Sequence, residues 1–312
     1  MKLSILVTFY NQEQFVDFTL NNILSMNHPF DYEIIIGEDG SSDNTLSKVK
    51  KWAESHTSII SYYSASRDKN KTYNPIERAS LLRSELLRRA KGEYVAFLDG
   101  DDFYFDKDKF VKQIKVLDTN SSLAMAASNC YLYWSDEKKE ALNANRNKSK
   151  VIKAKDYWRY LYFHISTFLF RNVFLNKKLD FDTKNYDDNY IVFSFLKYGD
   201  VYFSSDITTC YRQAQESVWN TIDEFNQNVT NLLDYVFETK YNPAFKKESL
   251  YRHLKEFKYL KHVSFKDDNI SKSNLYRLES NNIDLPKLID TKISCISAKM
   301  FMNKVIRKLR RI

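Results

Sequence analysis

The chain is poor in the residues that punctuate structure, with five glycines, four prolines and three cysteines among 312 residues. Gly37, Gly40, Gly92, Gly100 and Gly199 each stand next to an apolar run, where a backbone needs unusual dihedrals or close approach. So few glycines leave no G-x-G-x-x-G dinucleotide loop and no Walker phosphate loop. Cys130, Cys210 and Cys295 are scattered and odd in number, which excludes a disulfide framework and points to a reducing compartment. His28, His56, His164, His253 and His262 show no metal-ligand spacing, so packing or surface roles are expected of each. No apolar run is long enough to span a bilayer. The Leu3–Phe9 run is too short for a signal peptide, and polar residues follow it without a small-residue cleavage site. The expected location is cytoplasmic.

What remains is an ordinary globular composition, 43% hydrophobic and 28% charged, long enough for one large domain or two smaller ones. A formal charge of +8 suits nucleic acid, an anionic membrane or a polyanionic substrate. Strand-like runs alternate with helical spacing from the N-terminus: strands at Leu3–Phe9, Tyr32–Ile36, Ser58–Ser64 and Tyr94–Leu98, helices at Gln14–Ser25, Thr45–Glu54 and Pro75–Ala90. Ser41, Ser42 and Asp43 are cap candidates for the second helix. This alternation predicts an α/β fold with a mostly parallel sheet covered by helices on both faces. Ligands of such sheets bind beyond the carboxyl ends of the strands. Three of those ends carry unusual polar chemistry: Thr8-Phe9-Tyr10-Asn11, Glu38-Asp39 and Asp99-Gly100-Asp101. Asp99, Asp101 and Asp102 crowd three carboxylates into four positions, and unpaired carboxylates resist desolvation. A divalent cation, an arginine-lysine cluster or a solvated acidic turn would each relieve them. Among cations, oxygen ligands suit Mg²⁺ or Mn²⁺.

The runs SILVTFYNQEQF, YEIIIGEDGSSDNT and AKGEYVAFLDGDD resemble, in order and spacing, the N-terminal half of the family 2 inverting glycosyltransferases with a GT-A fold. The resemblance covers residues 1 to about 220 and implies a transferase domain there, followed by a smaller helical region over 221–312. It implies that Thr8, Tyr10 and Asp39 line the pocket for the nucleotide base and ribose of a nucleotide-sugar donor, with uridine the base. Asp99 and Asp101 become the Asp-x-Asp pair, Asp101 the direct ligand of Mn²⁺ or Mg²⁺ on the donor diphosphate. Glu38 stands where the family has a first aspartate. Arg83 stands where the family often has an arginine that meets phosphate or sugar; a solvated place among Arg78, Arg88 and Arg89 is the alternative. His164–Arg171, HISTFLFR, resembles the family strand that ends in arginine near the acceptor.

Asp187 and Asp188 precede a helix over Asn189–Tyr198, and the family's catalytic base starts this helix; Asp188 is the candidate, with helix capping as the other explanation of the pair. Many relatives carry Tyr-Arg-x-His further on, the histidine helping to hold metal; here Ala214 takes its place, leaving Gln215, Glu216 or water. Leu123–Trp134 and two runs at Val201–Ser205 and Ile207–Tyr211 read as strands, and polar Ser135–Lys155 as a mobile excursion. Helices are expected over Ile222–Glu238, Phe245–Phe265, Ser271–Ser280 and Lys292–Arg311, with Pro243 and Pro286 as breaks. Thr291–Ile312 holds seven Lys or Arg and no acid, with apolar residues at near-helical spacing. It suits either an anionic membrane surface or packing on protein, including a second copy in a homo-oligomer. The expected function is metal-dependent sugar transfer, with inversion, to a hydroxyl of a glycan or lipid-linked acceptor. A nucleotide-sugar-binding protein without turnover and a nucleotidyltransferase are the alternatives; no nucleic acid partner is expected, since acidic strand ends repel phosphates.

Overall fold

Apolar runs bounded by the sparse glycines become strands, and the amphipathic stretches between them become the helices that cover them. In the computed structural model, residues 1–68, 71, 73–159, 163–213, 222–263 and 270–294 are described. The chain divides into two compact units, Met1–Gln215 and Glu216–Ile312.

The first unit begins with β1 (Leu3–Phe9), α1 (Glu13–Leu24), β2 (Tyr32–Glu38), α2 (Thr45–Ser55), β3 (Ile60–Ser64), α3 (Pro75–Arg89) and β4 (Tyr94–Asp99). The four strands are parallel in the order β3-β2-β1-β4. Strands β1, β2 and β4 are buried almost throughout, as parallel strands covered on both faces must be. Leu3, Ile5, Val7 and Phe9 join one core with Val16, Leu20 and Ile23 of α1 and Val49 of α2. On the opposite face α3 lies so close to β2 that a Cβ on Gly37 would come within 2.9 Å of Leu82. Asn74 caps α3 by accepting from the Ile76 and Glu77 N–H groups, and Pro75 opens its first turn.

Beyond β4 come β5 (Phe103–Tyr104), α4 (Lys109–Thr119), β6 (Leu123–Tyr133), β7 (Lys139–Ala141), β8 (Lys150–Ile152), β9 (Leu169–Arg171), α5 (Asp188–Leu196) and β10 (Asp200–Arg212). The sheet continues β4-β9-β6-β10-β5. The long β6–β10 ladder is parallel, whereas the short β9 runs antiparallel to both β4 and β6. The fold is therefore a mixed α/β sheet, mostly parallel.

Several local expectations change. Helix α4 had no counterpart in the sequence reading, although Phe110, Ile114 and Leu117 recur at helical spacing and are buried. Ser135–Lys155 is tied into the sheet rather than free of it, because β7 pairs with β6 and β8 with β10. The two runs around Ser205 form one strand, β10, whose register against β6 shifts on both sides of Ile207. HISTFLFR is not one strand: Ile165–Thr167 form a 3₁₀ turn, and only its last three residues lie in β9. Asn44 is the N-cap of α2 without a side-chain cap bond; Asp43 instead accepts from the Glu13 and Thr45 N–H groups and ties α1 to α2.

The second unit is helical: α6 (Glu224–Tyr241), α7 (Lys246–Arg252), α8 (Leu254–His262), α9 (Lys272–Ser280) and a helical stretch at 285–294. The single helix expected over Phe245–Phe265 breaks at His253. Pro286 stands in the first turn of a helix whose start Asp284 caps through the Lys287 N–H, so it opens that helix instead of breaking one. No helix among the described residues is long and apolar enough to cross a membrane. Residues 295–312 of the basic tail and the Ala214–Glu216 segment lie outside the described residues.

Candidate active site

The strand register places the polar strand ends side by side. Thr8 lies opposite Gly37 on β2 and opposite Asp99 on β4. Its hydroxyl donates to Asp99 Oδ1 at 3.2 Å. Gly100 follows because nothing larger fits: a Cβ there would lie 2.1 Å from the Phe9 ring. Glu38 is fully buried and accepts from the Ser41 N–H at 2.5 Å and the Ser64 hydroxyl at 2.7 Å, so its longer side chain staples β2 to β3.

Two arginines that the sequence reading did not select close on Asp39. Arg67 Nε donates to the Asp39 carbonyl at 2.6 Å and its guanidinium also meets the carboxylate. Arg78 Nε reaches Asp39 Oδ1 at 2.8 Å. Arg67 lies 4.0 Å from the centre of the half-exposed Tyr10 ring, so Tyr10 and Asp39 are joined through it.

Arg83 is the centre of the site. It is only 12% exposed on the sheet side of α3, while Arg88 and Arg89 stay outside on Glu85. Its guanidinium holds Asp99 at 3.0 Å and Asp188 at 3.0 Å. Burial works against its charge, but the two carboxylates hold it firmly protonated. Burial raises Asp99, but the Arg83 charge, His164 and the hydrogen bonds from Arg83 and Thr8 together outweigh it and leave this carboxyl below its ordinary value. Asp188 goes the other way. Burial and the negative charges of Asp99 and Asp187 outweigh Arg83 and push it up to about 6.

The two neighbours that sequence could not separate have separate tasks. Asp187 is the N-cap of α5, its Oδ1 accepting from the Tyr190 N–H at 3.0 Å. Asp188 is the first helical residue and turns to Arg83.

Asp101 is raised to about 6 by burial and by Asp99. Arg212 Nε donates to the Asp101 carbonyl at 2.8 Å, and the Arg212 N–H to Asp102 Oδ1 at 2.9 Å. Asp102 is buried and pushed well above its ordinary value by burial and by Asp101 and Asp99. Its Oδ2 lies 3.5 Å from His164 Nδ1. His164, expected to be a packing residue, is buried beside the acids, stacked on Tyr211 at 3.9 Å and with Nδ1 2.6 Å from the Ser166 hydroxyl. Burial lowers it to about 4, so the ring is neutral. Among the described residues, Asp99, His164 and Asp188 form a group whose ligand atoms lie within 4.8 Å of one another. Neutral imidazole with two carboxylates is a donor set that fits Mn²⁺ better than all-oxygen Mg²⁺. Asp101, the ligand implied by resemblance, is not in that group.

Arg171 lies elsewhere. It pairs in register with Tyr94 at the start of β4 and donates to the Leu117 and Leu123 carbonyls, at the end of the sheet away from Asp99. Because β9 is antiparallel to β4, it is the residues before it, His164 to Thr167, that arrive at the site.

Comparison with known proteins agrees with this architecture. Residues 4–179 match the model of Glycosyl transferase family 2. The Escherichia coli protein named UDP-Glc:alpha-D-GlcNAc-diphosphoundecaprenol beta-1,3-glucosyltransferase, WfgD, is 27% identical over 119 residues, 38% of this chain and 42% of that one. The solved structure of Staphylococcus aureus TarS 1-349 with UDP-GlcNAc superimposes with a TM-score of 0.60 at 15% identity, covering 94% of this chain and 84% of that one. The mannosyltransferase PcManGT of Pyrobaculum calidifontis, solved with GDP-Man and Mn²⁺, gives 0.57 at 17% identity, covering 96% and 80%. The chain spans less than half the length of the curated relatives it matches. The family match takes in β1 to β9, with Thr8, Asp39, Arg83, Asp99 and His164 inside it, and the sheet that carries them is the GT-A sheet. This chain belongs to Glycosyl transferase family 2.

Proposed function

We propose that the first unit moves a sugar, with inversion, from a uridine diphosphate donor to a hydroxyl of a glycan or lipid-linked acceptor, with Mn²⁺ or Mg²⁺ bound. The observation that carries this reading is the meeting of Asp99 and Asp188, 89 positions apart, on one part-buried arginine beside Thr8. Thr8, Tyr10 and Asp39 hold base and ribose, and Arg83 the sugar or diphosphate. Asp99 and Asp101 would hold the cation, and His164, grouped with Asp99 and Asp188, would add the imidazole that Ala214 cannot. When bound, the cation neutralises charge on the departing diphosphate.

Asp188 is the base. The acceptor oxygen forms a new bond to the anomeric carbon as the bond to the diphosphate breaks, and the hydroxyl proton passes to Asp188. A carboxyl near 6 is ionised at neutral pH yet more basic than an ordinary aspartate, as a general base requires. Asp187, occupied with the α5 cap, positions it. Uridine is supported by UDP-GlcNAc in the TarS structure, Mn²⁺ by the PcManGT structure, and a lipid-linked acceptor by the name of WfgD. The basic pattern of Thr291–Ile312 supports peripheral attachment to the cytoplasmic face of a membrane.

Thermal-shift screening of UDP-, GDP- and dTDP-sugars with and without Mn²⁺ tests the reading, followed by donor hydrolysis with those that bind. Metal-dependent stabilisation by a UDP-sugar is expected. No response to any nucleotide sugar, with or without metal, would sink it.

A further inference from the structure

Helix α4 turns two polar side chains inward, against the sheet. Lys109 is fully buried and Gln113 is 4% exposed. Four positions apart, they share one face of the helix. Lys109 Nζ donates to Gln113 Oε1 at 2.6 Å. Gln113 Nε2 in turn donates to two carbonyls, that of Ala126 at 3.2 Å and that of Thr167 at 2.8 Å. Carbonyls only accept, so the amide can face just one way, with its nitrogen on the carbonyls and its oxygen on Lys109.

The two carbonyls lie where a ladder runs out. Strand β9 supplies three residues, and its pairing with β6 ends at Ala126 and Leu169. Thr167 stands two positions before Leu169, in the 3₁₀ turn Ile165–Thr167. Gln113 therefore joins the last β6 residue that pairs with β9 to the turn that leads into β9.

That turn carries His164. The Thr167 N–H and the Thr167 hydroxyl both donate to the His164 carbonyl, at 3.0 and 2.7 Å. From β6 the Ser128 hydroxyl reaches the Thr167 carbonyl at 3.3 Å, and from β10 the Thr209 hydroxyl reaches the Ser166 carbonyl at 3.3 Å. Of these three bonds from neighbouring elements, the one from Gln113 is the shortest. A buried carbonyl that loses its donor is costly, so the turn must shift when the amide is removed. The imidazole moves with it, and its ligand atom lies within 4.8 Å of those of Asp99 and Asp188.

We infer that Gln113 is a positioning residue: through the Thr167 carbonyl it sets where the His164 ring stands against Asp99 and Asp188. Its consequence for cation binding rests on the transferase reading above. The opposing account is that the amide serves only to satisfy the buried lysine.

Three variants of the full chain separate the two. Gln113→Glu keeps the length and an acceptor for Lys109, but its carboxylate repels both carbonyls. Lys109→Met removes the lysine and leaves the amide in place. Lys109→Met/Gln113→Met removes both without stranding a buried amine, and thermal midpoints report on the fold of each. Imidazole NMR spectra of the metal-free protein follow the His164 ring, its signals identified by their loss in His164→Gln. Calorimetry follows Mn²⁺ in the presence of UDP. Gln113→Glu and the double variant should shift the His164 signals and lose about 10- to 100-fold in Mn²⁺ affinity, the usual effect of removing a group that orients a ligand. Lys109→Met should do neither. In a His164→Gln background, Gln113→Glu should lower Mn²⁺ affinity no further, a non-additivity that a merely structural role does not produce. Unchanged His164 signals in Gln113→Glu, equal losses in Lys109→Met, or additive losses in the His164→Gln background would each overturn the inference. A parent that binds neither Mn²⁺ nor UDP, with His164 signals that still shift in Gln113→Glu, upholds the positioning role and refutes the donor reading.

Discussion

Asp188→Asn separates a base from a cap by the sign of its effect on stability as well as by its effect on rate. Burial and neighbouring charge place this carboxyl near 6 against an ordinary 3.8, with the Arg83 contact already included. A rise of about two units corresponds to at most about 3 kcal/mol against the ionised form. For a carboxyl raised in the folded state, that penalty is present above pH 6 and disappears as pH falls below the ordinary value. Asparagine is uncharged, like the protonated acid, so at pH 7 the variant should be as stable as the parent or more so. The side chain is 26% exposed, and screening by solvent reduces the expected gain to about 1 kcal/mol. The α5 cap is untouched, because the bond to the Tyr190 N–H belongs to Asp187. Urea unfolding at pH 7 measures this. Transfer, or donor hydrolysis with water as acceptor, should meanwhile fall by about 10² to 10⁴, the size of a general-base contribution. Near-parental turnover in Asp188→Asn would refute the argument; if Asp187→Asn then lost activity, the base would move by one residue. Destabilisation of Asp188→Asn by more than about 1 kcal/mol would mean that its contact with Arg83 outweighs the desolvation inferred here.

The remaining predictions concern the same cluster. Turnover should rise with pH through about 6 and then level as Asp188 ionises, a limb that a pH–rate profile would reveal; a flat profile across it would remove Asp188 as the titrating base. Chelation should abolish UDP binding, and calorimetry on Asp101→Ala should show the Mn²⁺-dependent part gone. Undiminished metal-dependent affinity in Asp101→Ala, with loss in His164→Ala, would move the cation onto Asp99, His164 and Asp188. Arg83→Met leaves two carboxylates without their shared cation and should cost about 3–5 kcal/mol in chemical denaturation, partly recovered when Asp188→Asn is added. An unchanged midpoint for Arg83→Met would show that the pair is solvated.

The sequence alone determined the first half of the sheet. A parallel strand leads into a turn and a helix, so each strand's last residues come to one edge of the sheet, and Thr8, Asp39 and Asp99 could be placed there from their runs alone. The three motifs in order carried the resemblance to the family that the family match shows, while low glycine excluded only the dinucleotide and Walker phosphate loops. Tertiary structure decided the rest, because the remaining residues depend on direction and facing. A three-residue strand carries no mark of its direction, and only the antiparallel pairing of β9 brings His164 to the acids and takes Arg171 away. Arg83 and Arg88 differ in sequence only by five positions, but at 3.6 residues per turn they leave α3 about 140° apart, so one is largely covered and the other solvated. The start of α5 fell between two aspartates, and that single boundary made Asp187 the cap and Asp188 the partner of Arg83.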